Sequence, residues 1–176
     1  CGELLRPVTL ELGGKSAGII LEDAPVEETV AGLATASLLN TGQTCYMSTR
    51  ILAPQSRYGE FVEAITAMAS SLPVGDPLDP GTFVGPVVSR TQRERVLGYI
   101  DAGRSEGARI TTGGGVPQDR DRGWFVEPTV FADVDNRSTI AREEIFGPVL
   151  SVIPYADEEE EVGGQAVLGR QPTQTT

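Results

Sequence analysis

The chain contains no histidine. That absence removes Ser-His and Cys-His nucleophile pairs and most zinc sites. Any acid–base chemistry must use carboxylates, lysine or water. Cysteine is scarce as well, with Cys1 and Cys45 the only two in 176 residues. Two cysteines far apart in sequence make no disulfide framework. No apolar run reaches membrane-spanning length and no signal peptide is visible. A reduced, cytoplasmic protein is therefore expected. Positive charge is thin: 14 Lys and Arg stand against 25 Asp and Glu, a net charge of -11. No basic stripe exists to meet phosphates, which argues against nucleic-acid and anionic-membrane partners. Part of the acidic excess is local, in Asp157-Glu158-Glu159-Glu160-Glu161.

What is present reads as an ordinary globular chain, 39% hydrophobic and 22% charged. Its length suffices for one domain with a real core. Residues 7–11 are expected to form a short strand ending at Gly13-Gly14, and residues 16–21 a second one. Asp23 and Pro25 signal a helix start. Val26, Val30, Leu33 and Ser37 or Leu38 follow at helical spacing, and Asn40-Thr41-Gly42 stops the helix. Residues 49–53 read as a strand. Tyr58, Phe61, Val62, Ile65, Met68, Ala69 and Leu72 make an amphipathic helix. Residues 73–85 read as a long loop. Ser89 and Gln92 make a capping box for a helix carrying Val96, Tyr99 and Ile100. Residues 108–112, 125–131 and 149–155 are further strands. Alternating strands and helices argue an α/β fold with a largely parallel sheet flanked by helices. Residues 161–176 lack periodicity and are expected to be a disordered tail.

Two segments carry groups suited to chemistry. Cys45 ends the run Asn40-Thr41-Gly42-Gln43-Thr44-Cys45, in the turn after a helix. A lone cysteine there is more often a small buried hydrophobe than a nucleophile. Gly42, however, permits an unusual backbone beside the thiol, and the Cys45 amide can donate to a developing oxyanion. Glu11 lies 34 positions earlier, in Leu10-Glu11-Leu12-Gly13-Gly14-Lys15-Ser16. A glutamate at a strand end is usually just solvated. A thiolate and a nearby carboxylate are nonetheless the pair that attack on a carbonyl requires. A third segment, Arg142-Glu143-Glu144-Ile145-Phe146-Gly147-Pro148-Val149, reads by itself as a turn with an acidic pair before a strand. Gly113-Gly114-Gly115 reads as a turn rather than a phosphate loop, because no helix start with lysine follows.

These segments, in this order and at this separation, resemble the nucleophile-loop, general-base and cofactor motifs of the aldehyde dehydrogenase superfamily. The runs at residues 85–89 and 123–130 extend the resemblance, which covers roughly residues 1–160. It implies NAD(P)-dependent oxidation of an aldehyde to an acid, with Cys45 as nucleophile and Glu11 as general base. It implies that Glu144 accepts hydrogen bonds from the nicotinamide-side ribose and that Phe146 packs near that end. Leu12 and Gly13 are placed beside the cofactor on the same ground. Residues 1–12 would be the edge of a dinucleotide-binding domain, 13–160 a truncated catalytic domain, and 161–176 a divergent tail.

Family members are much longer. The resemblance implies that the adenosine contacts, the choice of NAD or NADP and the side chain completing the oxyanion hole lie upstream of Cys1. The abrupt departure after Glu160 suggests a frameshift, a pseudogene product or a truncated form. The chain alone is expected to be inactive. It is expected to self-associate, most simply as a dimer, or to be completed by another chain, because sheet edges and apolar faces would otherwise be exposed. The alternative is a non-catalytic remnant or interaction subunit. Thr44 and Tyr46 flank the nucleophile and can shape an aldehyde pocket, but they name no substrate; a semialdehyde is among the possibilities.

Overall fold

The structure is a computed structural model and describes residues 2–120 and 122–156. The expected tail at 161–176 lies outside the described residues. Among the described residues, five strands form one sheet: β1 (Ala17–Ile19), β2 (Arg50–Pro54), β3 (Arg109–Thr112), β4 (Thr129–Ala132) and β5 (Val149–Tyr155). Their order is β1-β2-β5-β4-β3. The first four are mutually parallel and β3 joins β4 antiparallel. Among the described residues, four α-helices surround the sheet: α1 (Val26–Leu38), α2 (Tyr58–Ser71), α3 (Arg90–Ser105) and the short α4 (Thr139–Arg142). The α/β class with a largely parallel sheet is thus the observed one.

Strand alternation divides the core in two. Ile51, Ala53, Leu150, Val152 and Val130 point to one face, where they meet Val30, Leu33 and Leu38 of α1 and Phe61 and Ile65 of α2. Leu52, Val149, Ile153 and Phe131 point to the other, against Val96 and Ile100 of α3 and Ile140 of α4. Successive strand residues face opposite ways, so a central strand covered on both sides must be apolar throughout. That is why β2 and β5 read as mostly apolar runs rather than alternating ones, with Arg50 and Ser151 their buried polar members. Each fully buried side chain of this size contributes roughly 1.5–3 kcal/mol. The Tyr58 hydroxyl donates to the Val152 carbonyl at 3.0 Å and accepts from the Asp133 amide at 2.6 Å, which ties the start of α2 to the sheet.

Three expectations need correction. Residues 7–11 form no strand; that stretch is irregular and exposed. The β signal there is an alternation of Val8 and Leu10 with polar residues, but among the described residues no strand lies beside it to pair with, and an extended segment is stabilised only by its neighbours. The strand expected over 125–131 is shorter, beginning at Thr129. Pro128 has no N–H to give a ladder, and Glu127 donates instead to the Gly115 carbonyl. The capping box is half made. Ser89 accepts from the Gln92 amide at 3.1 Å, but the Gln92 side chain turns away to the loop before β5.

Candidate active site

The parallel order of β1, β2 and β5 gathers the segments that precede them at one end of the sheet. These are the segments carrying the three motifs: residues 11–16 enter β1, residues 40–49 enter β2 and residues 143–148 enter β5. Sequence separation is therefore cancelled by topology. Gly14, Cys45 and Glu144 become neighbours. The Gly14 amide donates to Glu144 Oε1 at 3.2 Å across 130 residues of sequence. A Cβ placed on Gly14 would lie 3.2 Å from the Cys45 carbonyl oxygen, so the glycine backbone runs against the Cys45 turn.

The turn that presents Cys45 is unusual. Asn40, Thr41 and Gly42 have φ of 53°, 60° and 70°, three successive left-handed residues. For Asn this is tolerable, but for a β-branched threonine it is strained and needs outside support. Thr41 receives that support from Gly85: its hydroxyl accepts from the Gly85 amide at 3.1 Å and donates to the Gly85 carbonyl at 3.3 Å. Gln43 Oε1 accepts from the Val88 amide at 2.9 Å. Beyond the cysteine, Met47 is buried and the Ser48 amide donates to Ala36 of α1 at 3.0 Å. Anchored on both sides, Cys45 itself is exposed and carries a free thiol. Tyr46 beside it is also exposed, and Thr44 is half-buried.

The loop before β5 is held by one face of α3. Gln92, Arg95 and Tyr99 stand at positions i, i+3 and i+7, which share a helix face. Gln92 donates to the carbonyls of Ile145 and Phe146 at 3.1 and 2.7 Å. Arg95 donates to the Glu144 carbonyl at 2.9 Å, and the Tyr99 hydroxyl donates to Glu143 Oε2 at 2.8 Å. Burial, and then that carboxylate, push Tyr99 up to about 12. These contacts hold Phe146 at a φ of 59°, left-handed for a bulky residue. Gln92→Ala removes two of them. It is expected to cost about 1–2 kcal/mol in urea unfolding and to accelerate hydrogen exchange at residues 145–147. Exchange there equal to the parent's would mean the strained turn holds without Gln92.

Lys15 is the residue that the sequence reading passed over. It is the only lysine in the chain and follows directly on the glycine pair. It is 8% exposed, and its Nζ has no hydrogen-bond partner. Burial first, and then the Arg50 guanidinium, lower its ammonium to about 7, while the Glu144 carboxylate opposes the shift. Arg50 in turn donates to Asn136 Oδ1 at 3.3 Å. The available signal was the position of a lone lysine between two glycines and an apolar strand.

Glu11, Leu12 and Gly13 occupy the exposed, irregular stretch leading into Gly14. Phe146 is half-buried on the loop that Gln92 holds. Thus the structure joins the surroundings of Cys45 and Glu144 through Gly14, and places Glu11 on the approach to that junction. Among the described residues, no group of three His, Cys, Asp or Glu side chains is arranged to hold a metal ion.

An exposed thiol on a strained turn lies beside a half-buried carboxylate at the amino ends of parallel strands, a candidate site on an α/β scaffold. The chain belongs to the aldehyde dehydrogenase family, whose model matches residues 1–163. It is 59% identical over 162 residues to geranial dehydrogenase from Castellaniella defragrans, covering 92% of this chain and 34% of that protein. Betaine aldehyde dehydrogenase from Brucella anthropi is 47% identical over 161 residues, with coverages of 90% and 33%. The crystal structure of a Mycobacterium tuberculosis aldehyde dehydrogenase complexed with NAD+ superposes with a TM-score of 0.88 at 54% identity, covering 92% of this chain and 34% of that one. The chain thus spans about a third of the length of the relatives it matches.

Proposed function

We propose that this chain carries the nucleophile and general base for NAD(P)-dependent oxidation of an aldehyde to a carboxylic acid. The observation that carries the reading is the Gly14 junction, which sets the Cys45 turn and the Glu144 carboxylate against one backbone segment. The Cys45 thiolate bonds to the aldehyde carbon, and the carbonyl oxygen takes the negative charge, facing the Cys45 amide as donor. NAD or NADP, when bound, supplies the acceptor for the hydride that leaves this carbon. What remains on Cys45 is a thioester. Glu11 then takes a proton from water, the water oxygen bonds to the acyl carbon, and the C–S bond breaks to return the Cys45 thiolate and release the acid.

The residues present fit the nicotinamide-side ribose. A carboxylate is the group that accepts from two adjacent hydroxyls, and Glu144 is half-buried with one oxygen oriented by the Gly14 amide. Phe146 lies two residues along the same loop, with Leu12 and Gly13 on the segment opposite. Geranial and betaine aldehyde mark the breadth of aldehydes named for the relatives, and an aldehyde is the proposed substrate class here.

The test is hydrolysis of an activated phenyl ester by the purified chain, beside Cys45→Ala and Glu11→Gln. This reaction needs the thiol and its oxyanion donors but no dinucleotide. Aldehyde oxidation by the chain alone is not expected, but turnover of the ester is, with Cys45→Ala falling to the rate without protein and Glu11→Gln giving one acylation burst and then slow release. Parent turnover no faster than Cys45→Ala would rule out a working site in this chain.

A second reading, an interaction subunit completed by a copy of itself or another chain, is favoured by one observation. Leu4, Leu5, Val8, Leu10 and Leu12 are all exposed, Leu5 to 92%. Such a stretch of apolar residues is the kind of surface that a partner covers. Sedimentation over a concentration series is expected to show a dimer, and a stable monomer would count against it. A reduced cytoplasmic setting is proposed because the reaction needs Cys45 as a thiol. No helix among the described residues is long and apolar enough to cross a membrane.

A further inference from the structure

We propose that the segment from Gly85 to Gln92 is a brace that sets the Cys45 turn against the Glu144–Phe146 loop, with Gln43 the positioning residue that ties the turn to it. The inference rests on the reading of Cys45 as nucleophile. The runs at residues 85–89 and 123–130, which that chemistry leaves without a role, supply the brace and its anchor. At one end the brace holds the turn at two points. Thr41 exchanges two hydrogen bonds with Gly85, and Gln43 Oε1 accepts from the Val88 amide. Gln43 also closes the turn on itself. Its side-chain amide donates to the Asn40 carbonyl at 3.3 Å, and the Asn40 side chain donates to the Gln43 carbonyl at 3.1 Å. The three left-handed residues lie within that closure, and such a backbone persists only where its surroundings hold it. At the other end Gln92 donates to the Ile145 and Phe146 carbonyls. Between the two ends, Ser89 caps α3, and the buried Val87 donates to the Trp124 carbonyl at 2.9 Å. Arg90 and Arg93 stack on the Trp124 ring at 4.8 and 5.0 Å, which fixes the first turn of α3 on the same anchor. A thiol attacks a carbonyl productively only when it and its oxyanion donor are held in register, and Gln43 supplies that hold.

The anchor is tested by Trp124→Leu, which removes the ring but keeps the backbone carbonyl. Exchange of the Gly85 and Val88 amides, and of those at residues 145–147, is expected to speed by about tenfold, the worth of one hydrogen bond. Trp124→Phe keeps a ring for the two arginines and should stay near the parent. Gln43→Met matches the side chain in length without its amide, and should release the Val88 amide by a similar factor. Gln43→Glu keeps an acceptor and should restore most of that protection. Exchange equal to the parent's at either end of the brace in Trp124→Leu, or at Val88 in Gln43→Met, overturns the proposal.

Two reactions of Cys45 then separate positioning from general loosening. Alkylation by iodoacetamide needs a thiolate and no oxyanion donor, whereas acylation by an activated phenyl ester needs the aligned Cys45 amide. Alkylation is read at Cys45 by peptide mass, because Cys1 is a second cysteine. In Gln43→Met acylation is expected to fall by about tenfold or more, with alkylation within about twofold of the parent. Equal falls in both reactions would overturn Gln43 as a positioning residue. A parent that is not acylated at all counts against Cys45 as a working nucleophile, while the exchange results still decide the brace. The two ideas therefore fail separately.

Discussion

Gly42→Ala is expected to destabilise the chain by about 2–5 kcal/mol and to disorganise the Cys45 turn. Two costs combine. The left-handed backbone, φ 70°, penalises an L-residue with a Cβ by roughly 1–2 kcal/mol. The added methyl would also lie 2.3 Å from the Gly147 carbonyl oxygen and 2.7 Å from its carbon. These are backbone atoms and cannot rotate aside, so the loop before β5 must move, at an overpacking cost of about 1–3 kcal/mol. The contact joins the Cys45 turn to the loop carrying Glu144 and Phe146, so both motifs are disturbed at once. Gly32→Ala is the control. Gly32 lies within α1 and nothing stands within 4 Å of its missing Cβ. There the same change should stabilise by roughly 0.5–1 kcal/mol through helix propensity. Urea midpoints of the two variants moving in the same direction would contradict this account.

Lys15→Met is expected to change how stability depends on pH. The folded chain releases the Lys15 proton near 7 and the unfolded chain near 10.5. Between these values the unfolded state binds more protons, so stability must rise with pH. The full penalty for burying the ammonium is present below 7 and is relieved as pH climbs toward 10.5. At 1.36 kcal/mol per pH unit, the rise attributable to Lys15 amounts to at most about 5 kcal/mol. Lys15→Met lacks the ammonium and buries an apolar side chain of similar length, which is commonly neutral or stabilising. Its advantage over the parent should be greatest near pH 6 and should fade toward pH 10. The tyrosines act in the opposite direction and in a later window. Tyr58 and Tyr99 are each pushed up to about 12, chiefly by burial, so they lower stability as pH rises from 10 to 12. Comparing parent with variant cancels their contribution and that of the net negative charge. Denaturation curves whose midpoints run parallel from pH 6 to 10 would show that Lys15 does not titrate in that window.

Much of the scaffold was legible because its signals are local and periodic. The apolar spacing of Val30, Leu33 and Leu38, and of Phe61, Ile65 and Ala69, matches the buried faces of α1 and α2. The strand expected over residues 149–155 is β5 as observed. The Gly42 stop was visible, although the left-handed run that begins two residues earlier was not, because Asn40 and Thr41 carry no glycine signal. Residues 7–11 misled for a definite reason. Alternation of Val8 and Leu10 with polar residues describes a half-buried strand, but β structure depends on a partner strand that no local pattern supplies. Gln92 misled in the same way: its spacing from Ser89 fits a capping box, yet two carbonyls on a distant loop bind its amide instead.

By itself the amino-acid sequence determined the α/β class, the order of elements, the candidate nucleophile and base, and the family resemblance. All of these are written in short runs or in fixed spacings along one chain. Only the tertiary structure decided which of those runs meet. The parallel pairing of β1, β2 and β5 brings Gly14 to Glu144 across 130 residues. It also buries Lys15 and brings the Gln92 side chain onto the Ile145 and Phe146 carbonyls. Charge interactions, burial and hydrogen bonds act through a few ångströms of space, and at this site nearly all of them link residues far apart in the chain.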